Sequence, residues 1–220
     1  MSTLIIGASG GIGAALATTL RARGEAVTTL SRSTDGLDVT DEGSVAAALG
    51  RLDGPYDRIL VTTGALEIGG ATPEKALRQV TPEALRAQFD LNAMGPILVL
   101  KHALRLMPRD RRCAFAALSA RVGSIGDNGY GGWYAYRTAK AALNQLIHTA
   151  AIEIARTHPQ AVVVALHPGT VATRFTEKYL GRHPAIAPDE AAANLLGVLD
   201  GLGPAETGGF FDGQGKRVPW

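Results

Sequence analysis

The sequence predicts one α/β domain spanning residues 1–220, with a doubly wound, mostly parallel sheet and helices on both faces. Short apolar runs alternate with helical patterns along the whole chain, which is typical of such sheets. The runs are continuously apolar rather than alternating, as in strands that are buried on both faces. The irregular stretches 64–80, 119–133 and 168–187 all follow predicted strands, and ligands of such folds bind beyond the carboxyl ends of strands.

Each element is predicted by its own local pattern. The first helix carries Ile12, Leu16 and Leu20 on one face and ends before Gly24. Thr81 and Pro82 are typical of an N-cap and a first helical residue. The predicted strands are 3–6, 26–30, 58–62, 113–118, 161–166 and 208–211, and the predicted helices are 12–23, 41–49, 81–92 continuing towards 107, 134–156 and 188–199.

Charge and hydropathy exclude several classes of function. The formal net charge is +2, which is too small to indicate a nucleic-acid partner. No stretch approaches the roughly 18 apolar residues of a membrane span, and the N-terminus does not resemble a signal peptide. The five histidines are dispersed, so no metal site is expected. We therefore expect a cytoplasmic protein without a membrane partner.

A glycine-rich turn joins the first strand to the first helix. The segment "GASGGIG" at 7–13 allows a tight exit at Gly7 and close approach of a pyrophosphate at Gly11 and Gly13. The helix N-terminus that follows attracts an anion. The pattern therefore predicts a dinucleotide site, to which Ser9 and Ile12 also belong.

The end of the second strand indicates which nucleotide is bound. Ser31 stands where an acid would bind the ribose of NAD, and Arg32 follows it. An arginine suits the 2′-phosphate of NADP, because its guanidinium can bind phosphate bidentately. The nearby Asp35 is an acid that could bind the ribose of NAD, so NAD is the less favoured alternative cofactor.

The segment "YAYRTAK" at 134–140 contains a candidate acid/base pair. Tyr136 and Lys140 are four residues apart, so a helix would present both on one face. Tyr134 has no such partner, because Thr138 is uncharged. An ammonium near a tyrosine favours the phenolate, which would bring the tyrosine pKa closer to working pH.

In order along the chain, "GASGGIG", Asp38–Val39, "LNAMGP" at 91–96, "YRTAK" at 136–140 and "HPGTVAT" at 167–173 resemble the short-chain dehydrogenase/reductase family. The segments around "GGWYAYRTAKAALNQ" and "GGFFDGQGKRVPW" look like its compact C-factor and sniffer-type carbonyl reductase branch. The resemblance implies a single Rossmann-fold domain that binds NAD(P). It also implies a homodimer or homotetramer that pairs through the helices carrying Asn92 and Tyr136.

The resemblance also implies roles for individual residues. Tyr136 would be the acid/base, Lys140 would bind the nicotinamide ribose, and Asn92 would hold a water in a proton relay. The remaining positions would line the cofactor: Asp38 and Val39 at the adenine, Thr63 and Gly64 after the third strand, and Pro168, Gly169, Val171 and Thr173 beside the nicotinamide. Asp38 could instead cap the following helix, and Asn92 could be a helix surface residue.

Two segments depart from the family pattern. The segment "LSARVG" has Ala120 at the usual position of the catalytic serine, so Ser119 is favoured for that role, with Ser124 as a rival. The family's Asn-Ala-Gly after the third strand is Thr62, Thr63 and Gly64 here.

The favoured function is NADP(H)-dependent interconversion of a carbonyl and an alcohol, on an apolar or aromatic substrate. The alternative is a nucleotide-binding regulatory protein with little turnover.

Overall fold

The computed structural model of the chain describes residues 1–180 and 184–220. Its strands are β1 Ser2–Ile6, β2 Ala26–Leu30, β3 Arg58–Val61, β4 Cys113–Leu118, β5 Ala161–His167 and β6 Phe210–Asp212. They form one sheet in the order β2–β1–β3–β4–β5–β6, and every neighbouring pair is parallel. The predicted parallel sheet is confirmed.

Seven α-helices lie within the part of the chain that the structure describes. They are α1 Gly11–Ala22, α2 Arg32–Asp35, α3 Glu42–Gly50, α4 Pro82–Phe89, α5 Gly95–Ala103, α6 Tyr134–Ile154 and α7 Pro188–Gly201. The Thr81 hydroxyl accepts a hydrogen bond from the Ala84 amide at 3.1 Å, so the predicted N-cap is confirmed. The predicted long helix that follows is interrupted, because a π-helical segment, Asp90–Met94, joins α4 to α5.

The sheet has an apolar layer on each face. Leu4 and Ile6 of β1 pack into the layer covered by α3, α5 and α6. Ile5 packs into the opposite layer, which is covered by α1 and α7. Both faces of the strand are therefore buried, which explains its continuously apolar sequence.

Two local differences from the sequence-based expectation have backbone causes. β6 begins at Phe210 rather than 208, because Gly208 has a φ of +77° and cannot continue a strand. The four-residue helix α2 was not predicted. It forms because the buried Ser31 hydroxyl accepts a hydrogen bond from the Thr34 amide and so caps a single turn.

The carboxyl ends of β1, β3, β4 and β5 meet at one edge of the sheet, because the strands are parallel. The glycine turn and the three irregular stretches leave from this edge, where ligands bind in such folds. In residues 1–180 and 184–220, none of the helices combines the length and the apolarity that crossing a membrane requires.

Candidate functional site

The glycine turn is packed too tightly for side chains. Gly7 has a φ of +93°, which favours glycine. The Thr62 hydroxyl, which donates to the Ile6 carbonyl, would lie 2.8 Å from a Cβ on Gly7 and 2.6 Å from one on Gly13. Gly7 and Gly13 therefore allow α1 to approach the ends of β1 and β3.

The N-terminus of α1 is available to an anion. Its N-cap, Gly10, offers no side-chain oxygen, so the first amides of the helix lack a side-chain cap. Ser9 is exposed at the turn and Ile12 lies in the first helical turn. Thr173 reaches this turn from the segment after β5, since a Cβ on Gly11 would lie 2.6 Å from Thr173 Cγ2.

After β2, the side chains of Asp35 and Arg32 have different environments. Asp35 accepts hydrogen bonds from the Ser31 amide at 2.8 Å and the Thr34 hydroxyl at 2.5 Å. The Thr34 hydroxyl, more than the amide, lowers the pKa of this carboxyl group. Arg32 is exposed, and its side chain makes neither a hydrogen bond nor an ion pair within the described residues. The guanidinium is therefore free for a ligand, whereas the carboxylate already holds α2.

Asp38 and Val39 precede α3. The Asp38 carboxylate accepts hydrogen bonds from the hydroxyl and the amide of Thr40, and these bonds lower its pKa. The N-cap of α3 is Asp41, so the alternative interpretation of Asp38 as that cap is wrong. Val39 is buried against Gly95 of α5, where a Cβ would lie 2.8 Å from Val39 Cγ2.

Tyr136 and Lys140 lie on one face of α6, as predicted, and both are buried, with 6% and 3% exposed. Lys140 Nζ lies 5.8 Å from the centre of the tyrosine ring and donates to the Leu118 carbonyl at 2.9 Å. Burial raises the pKa of Tyr136 and lowers the pKa of Lys140 to about 7. The expected lowering of the tyrosine pKa by the ammonium is thus outweighed by desolvation.

Asn92 lies in the π-helical segment and is fully buried, so it is not a helix surface residue. Its amide nitrogen donates to the Ala65 carbonyl at 2.9 Å and to Gln88 Oε1 at 2.6 Å. A Cβ on Gly64 would lie 2.7 Å from Asn92 Oδ1 and 3.7 Å from Lys140 Nζ. Gly64 therefore brings the loop after β3 against both predicted site residues.

Thr63, next to Gly64, has a buried hydroxyl oxygen without a hydrogen-bond partner among the described residues. A buried hydroxyl of this kind costs free energy unless a ligand or water satisfies it. The unpartnered Thr63 hydroxyl, like the glycine turn, the uncapped α1 amides and the unpaired Arg32 side chain, is what a site for a bound dinucleotide would offer.

Ser119 ends β4 and is 4% exposed. Its hydroxyl donates to Oδ1 of Asn144, one helical turn beyond Lys140, at 2.6 Å. Ser124 is also buried, but its hydroxyl accepts the Asp127 amide and so holds a loop turn. Ala120 has no polar group to offer. Among the described residues, Ser119 hydrogen-bonds to the α6 face that carries Tyr136 and Lys140, whereas the side-chain bond of Ser124 stays within its loop.

Aromatic side chains surround Tyr136. Trp133 meets its ring edge-on with centroids 6.3 Å apart, and Phe175 lies 6.2 Å away. Tyr179 packs on Trp133 at 5.4 Å and donates its hydroxyl to Glu67, which also pairs with Lys178. The irregular stretch 168–187 thus contacts Tyr136 through Phe175, and its residues 181–183 lie outside the described residues.

The start of that segment is fixed by main-chain bonds. Pro168 follows β5, and Gly169 turns the chain with a φ of +82°. Val171 is buried and pairs with Ile186, whose amide donates to the Thr170 carbonyl. The predicted cofactor-lining segments therefore follow β1, β2, β3 and β5, except for Asp38 and Val39, which lie between α2 and α3.

The sequence analysis missed Asn144 and Glu74. Asn144 repeats the four-residue spacing of Tyr136 and Lys140, so the same helical argument could have found it. Glu74 is 5% exposed and accepts the Ala135 amide at the start of α6. The local sequence gives no signal for Glu74, because its partner lies 61 residues away.

A sequence model described as short chain dehydrogenase matches residues 2–182. One relative, 1-hydroxy-2-glutathionyl-2-methyl-3-butene dehydrogenase of Rhodococcus sp. strain AD45, is 30% identical over 233 residues, covering 100% of both chains. C-signal of Myxococcus xanthus is 35% identical over 146 residues, covering 66% of this chain and 84% of the relative.

Solved structures give the same result. A short-chain dehydrogenase/reductase from Burkholderia multivorans with bound NADP has a TM-score of 0.81 and 26% identity, covering 100% of this chain and 99% of that chain. The carbonyl reductase Sniffer of D. melanogaster also has a TM-score of 0.81, with the same coverage and 20% identity, which supports the fold. The resemblance inferred from the motifs is confirmed.

Proposed function

As this chain belongs to the short-chain dehydrogenase family and is an oxidoreductase of it, we propose that it interconverts a carbonyl and an alcohol with NADP(H), using Tyr136 as acid/base. The observation that carries the proposal is the Tyr136–Lys140 pair, buried on α6 beside the carboxyl end of β4. The Rhodococcus relative is named a dehydrogenase of a hydroxy compound, which supports this reaction class.

NADP(H) is the proposed cofactor. The α1 amides, with Gly7, Ser9, Gly11, Ile12 and Gly13 around them, would bind the pyrophosphate. Arg32 beside Ser31 would bind the 2′-phosphate, and its free guanidinium supports NADP over NAD. A related structure with bound NADP supports the same choice.

Other parts of the same edge would hold the rest of the cofactor. Asp38 and Val39 would lie at the adenine, and Thr63 and Gly64 would approach the cofactor after β3. Pro168, Gly169, Val171 and Thr173 would lie beside the nicotinamide. The unpartnered Thr63 hydroxyl supports this assignment, because a bound ligand would satisfy it.

The bound nicotinamide would supply or accept the hydride. Tyr136 would pass a proton to or from the substrate oxygen, and the buried Lys140 would hold the nicotinamide ribose and favour the phenolate. Lys140 Nζ and Asn92 Oδ1 both lie within 4 Å of the position that a Cβ on Gly64 would take, which supports a proton path from Lys140 towards Asn92. Both hydrogens of the Asn92 amide group are donated to Ala65 and Gln88, so only Oδ1, which also accepts the Ala65 amide, would be able to hold a water in that path.

Ser119 would polarise the substrate oxygen. A hydroxyl has one hydrogen, and Ser119 donates it to Asn144. The hydroxyl would therefore rotate towards the substrate before it can act. Ser124 is less suited to this role because of its position, since it lies six residues beyond the end of β4 and bonds within its own loop, whereas Ser119 directly follows the strand and bonds to α6.

The substrate would be apolar or aromatic near the reacting carbon. Trp133, Phe175 and Tyr179 surround Tyr136, and they offer flat apolar faces on which a ring or hydrocarbon chain can pack. A broad panel of ketones and aldehydes would test this, with aromatic members expected to give the highest kcat/KM.

We also propose a homodimer or homotetramer. Phe89 on α4 and Ile152 on α6 are exposed, with 42% and 54% of their surface open to solvent. Large apolar side chains on neighbouring helices favour association. Light scattering of the purified protein would measure the assembly mass, and a monomer would contradict the proposal.

The decisive experiment is an activity screen with NADPH and NADH in parallel. We expect oxidation of NADPH by at least one class of carbonyl substrate and weaker or no oxidation of NADH. Binding of NADPH without turnover across the panel would favour the regulatory alternative.

A further inference from the structure

The three residues before α6 form an unusual turn. Gly131, Gly132 and Trp133 have φ values of +64°, +65° and +53°, so all three are left-handed. Tryptophan rarely adopts this conformation, because its Cβ crowds the backbone. Such a conformation persists only where surrounding contacts enforce it, and it is typical of functional sites.

No side chain within the turn caps α6. Its N-cap is Trp133, which provides no hydrogen-bond acceptor for the first helical amides. Asn128 Oδ1 accepts the Gly131 amide at 3.1 Å, and Arg137 Nε donates to the Gly132 carbonyl at 2.9 Å. The bonds to the Trp133 and Ala135 amides, which lie where α6 begins, come from Glu74 in the loop after β3. The Glu74 carbonyl accepts the Trp133 amide at 2.5 Å, and its Oε2 accepts the Ala135 amide at 3.2 Å.

The Glu74 carboxylate is buried with one oxygen unpaired, which lowers the stability of the fold. The residue is 5% exposed, and Oε1 is buried without a partner among the residues that the structure describes. An unpaired carboxylate oxygen destabilises a protein interior. Glu74 and Tyr136 also line the same small cavity, so the destabilising carboxylate oxygen lies next to the proposed acid/base.

We propose that Glu74 is a positioning residue for Tyr136. Its carboxylate accepts the Ala135 amide while its main-chain carbonyl accepts the Trp133 amide, and the carboxylate bond fixes the first turn of α6. Tyr136 follows Ala135 directly, and Trp133 packs against its ring. Releasing the amide lets the first turn of α6 relax, which moves Tyr136 and Trp133 together. This inference rests on the proposed role of Tyr136.

The test compares Glu74→Ala with Glu74→Gln, and Lys75→Ala is the control. Glutamine retains an acceptor for the Ala135 amide, whereas alanine does not. Lys75 is the next residue in the same loop and is exposed. All variants are measured for kcat and KM with NADPH and for thermal unfolding, so that only folded protein is compared.

We expect Glu74→Ala to lower kcat by about 10- to 100-fold, as small misplacements of a reacting group do. The KM for NADPH should stay within about threefold, because the proposed pyrophosphate and 2′-phosphate contacts lie on α1 and α2. Glu74→Gln and Lys75→Ala should retain kcat within about threefold. Equal loss in the alanine and glutamine variants, or no loss in folded Glu74→Ala, would overturn the proposal.

A second measurement does not depend on activity. The chain has two tryptophans, so Trp220→Phe leaves Trp133 as the only one. In that background, Glu74→Ala should shift the Trp133 emission to longer wavelength and increase its quenching by acrylamide, and Glu74→Gln should not. If the wild type proves inactive, this result still decides the inference, and an unchanged Trp133 emission would overturn it.

Discussion

The Ser119 hydroxyl donates its only hydrogen to Oδ1 of Asn144, at 2.6 Å. This bond joins the end of β4 to the face of α6 that carries Tyr136 and Lys140. In the proposed reaction, Ser119 would have to release Asn144 before it could donate the same hydrogen to a substrate oxygen.

Ser119 and Ser124 can be separated by mutation. Ser119→Ala should lower kcat by about 10²- to 10³-fold, because the developing charge on the substrate oxygen loses a donor. Ser124→Ala should leave kcat within about threefold, since its hydroxyl supports only the loop turn at Asp127. Steady-state kinetics of the folded variants measure both. The reverse order of effects would make Ser124 the polarising residue.

The two tyrosines of the α6 start are also distinguishable. Tyr136→Phe should lower kcat by roughly 10²- to 10⁴-fold, which is the usual contribution of a positioned acid or base. Tyr134→Phe removes the same hydroxyl group two residues earlier and should have little effect. Turnover by Tyr136→Phe at the wild-type rate would show that another group handles the proton.

Arg32 should determine the preference for NADPH. Arg32→Ala removes charge-assisted hydrogen bonds to the 2′-phosphate and should raise the dissociation constant of NADPH by roughly 10- to 100-fold. NADH binding should not change, since NADH lacks that phosphate. Arg86→Ala is the control, because Arg86 is an exposed arginine on α4 paired only with Glu83. Fluorescence titration measures all three proteins, and equal weakening of both nucleotides would contradict the assignment.

Lys140 should make stability depend on pH. Its pKa is about 7 in the fold and 10.5 in an ordinary lysine, because burial disfavours the charged form. Between these values the unfolded chain holds more protons, so stability rises with pH. Lys140→Met lacks this titration. Urea unfolding without nucleotide should show the wild type gaining stability relative to the variant across this window. A constant difference would mean that the lysine is not desolvated.

Most of the fold could be predicted from local patterns. Continuous apolar runs identify strands that are buried on both faces, and β1 follows this rule through Leu4, Ile5 and Ile6. The N-cap at Thr81 could also be predicted, because Pro82 follows it. The interruption at Asp90–Met94 was not, because the helical apolar pattern continues through it.

The candidate site could be predicted where its residues share a helix or follow a strand. Tyr136 and Lys140 were found by their four-residue spacing, and Ser119 by its position at the end of β4. The contacts of Ser119 and Glu74 could not be predicted, because their partners lie 25 and 61 residues away. Contacts between distant segments depend on packing, and a single sequence carries no periodic signal for them.

The arrangement on α6 also determines where the chain can change in length. One residue inserted between Tyr136 and Asn144 would rotate one of them by about 100° around the helix and out of the shared face. Insertions in the exposed segment 125–130 have no such effect, because it precedes the turn Gly131–Trp133 that sets the start of α6. Natural length variation should therefore concentrate in 125–130 rather than in the turn or the helix.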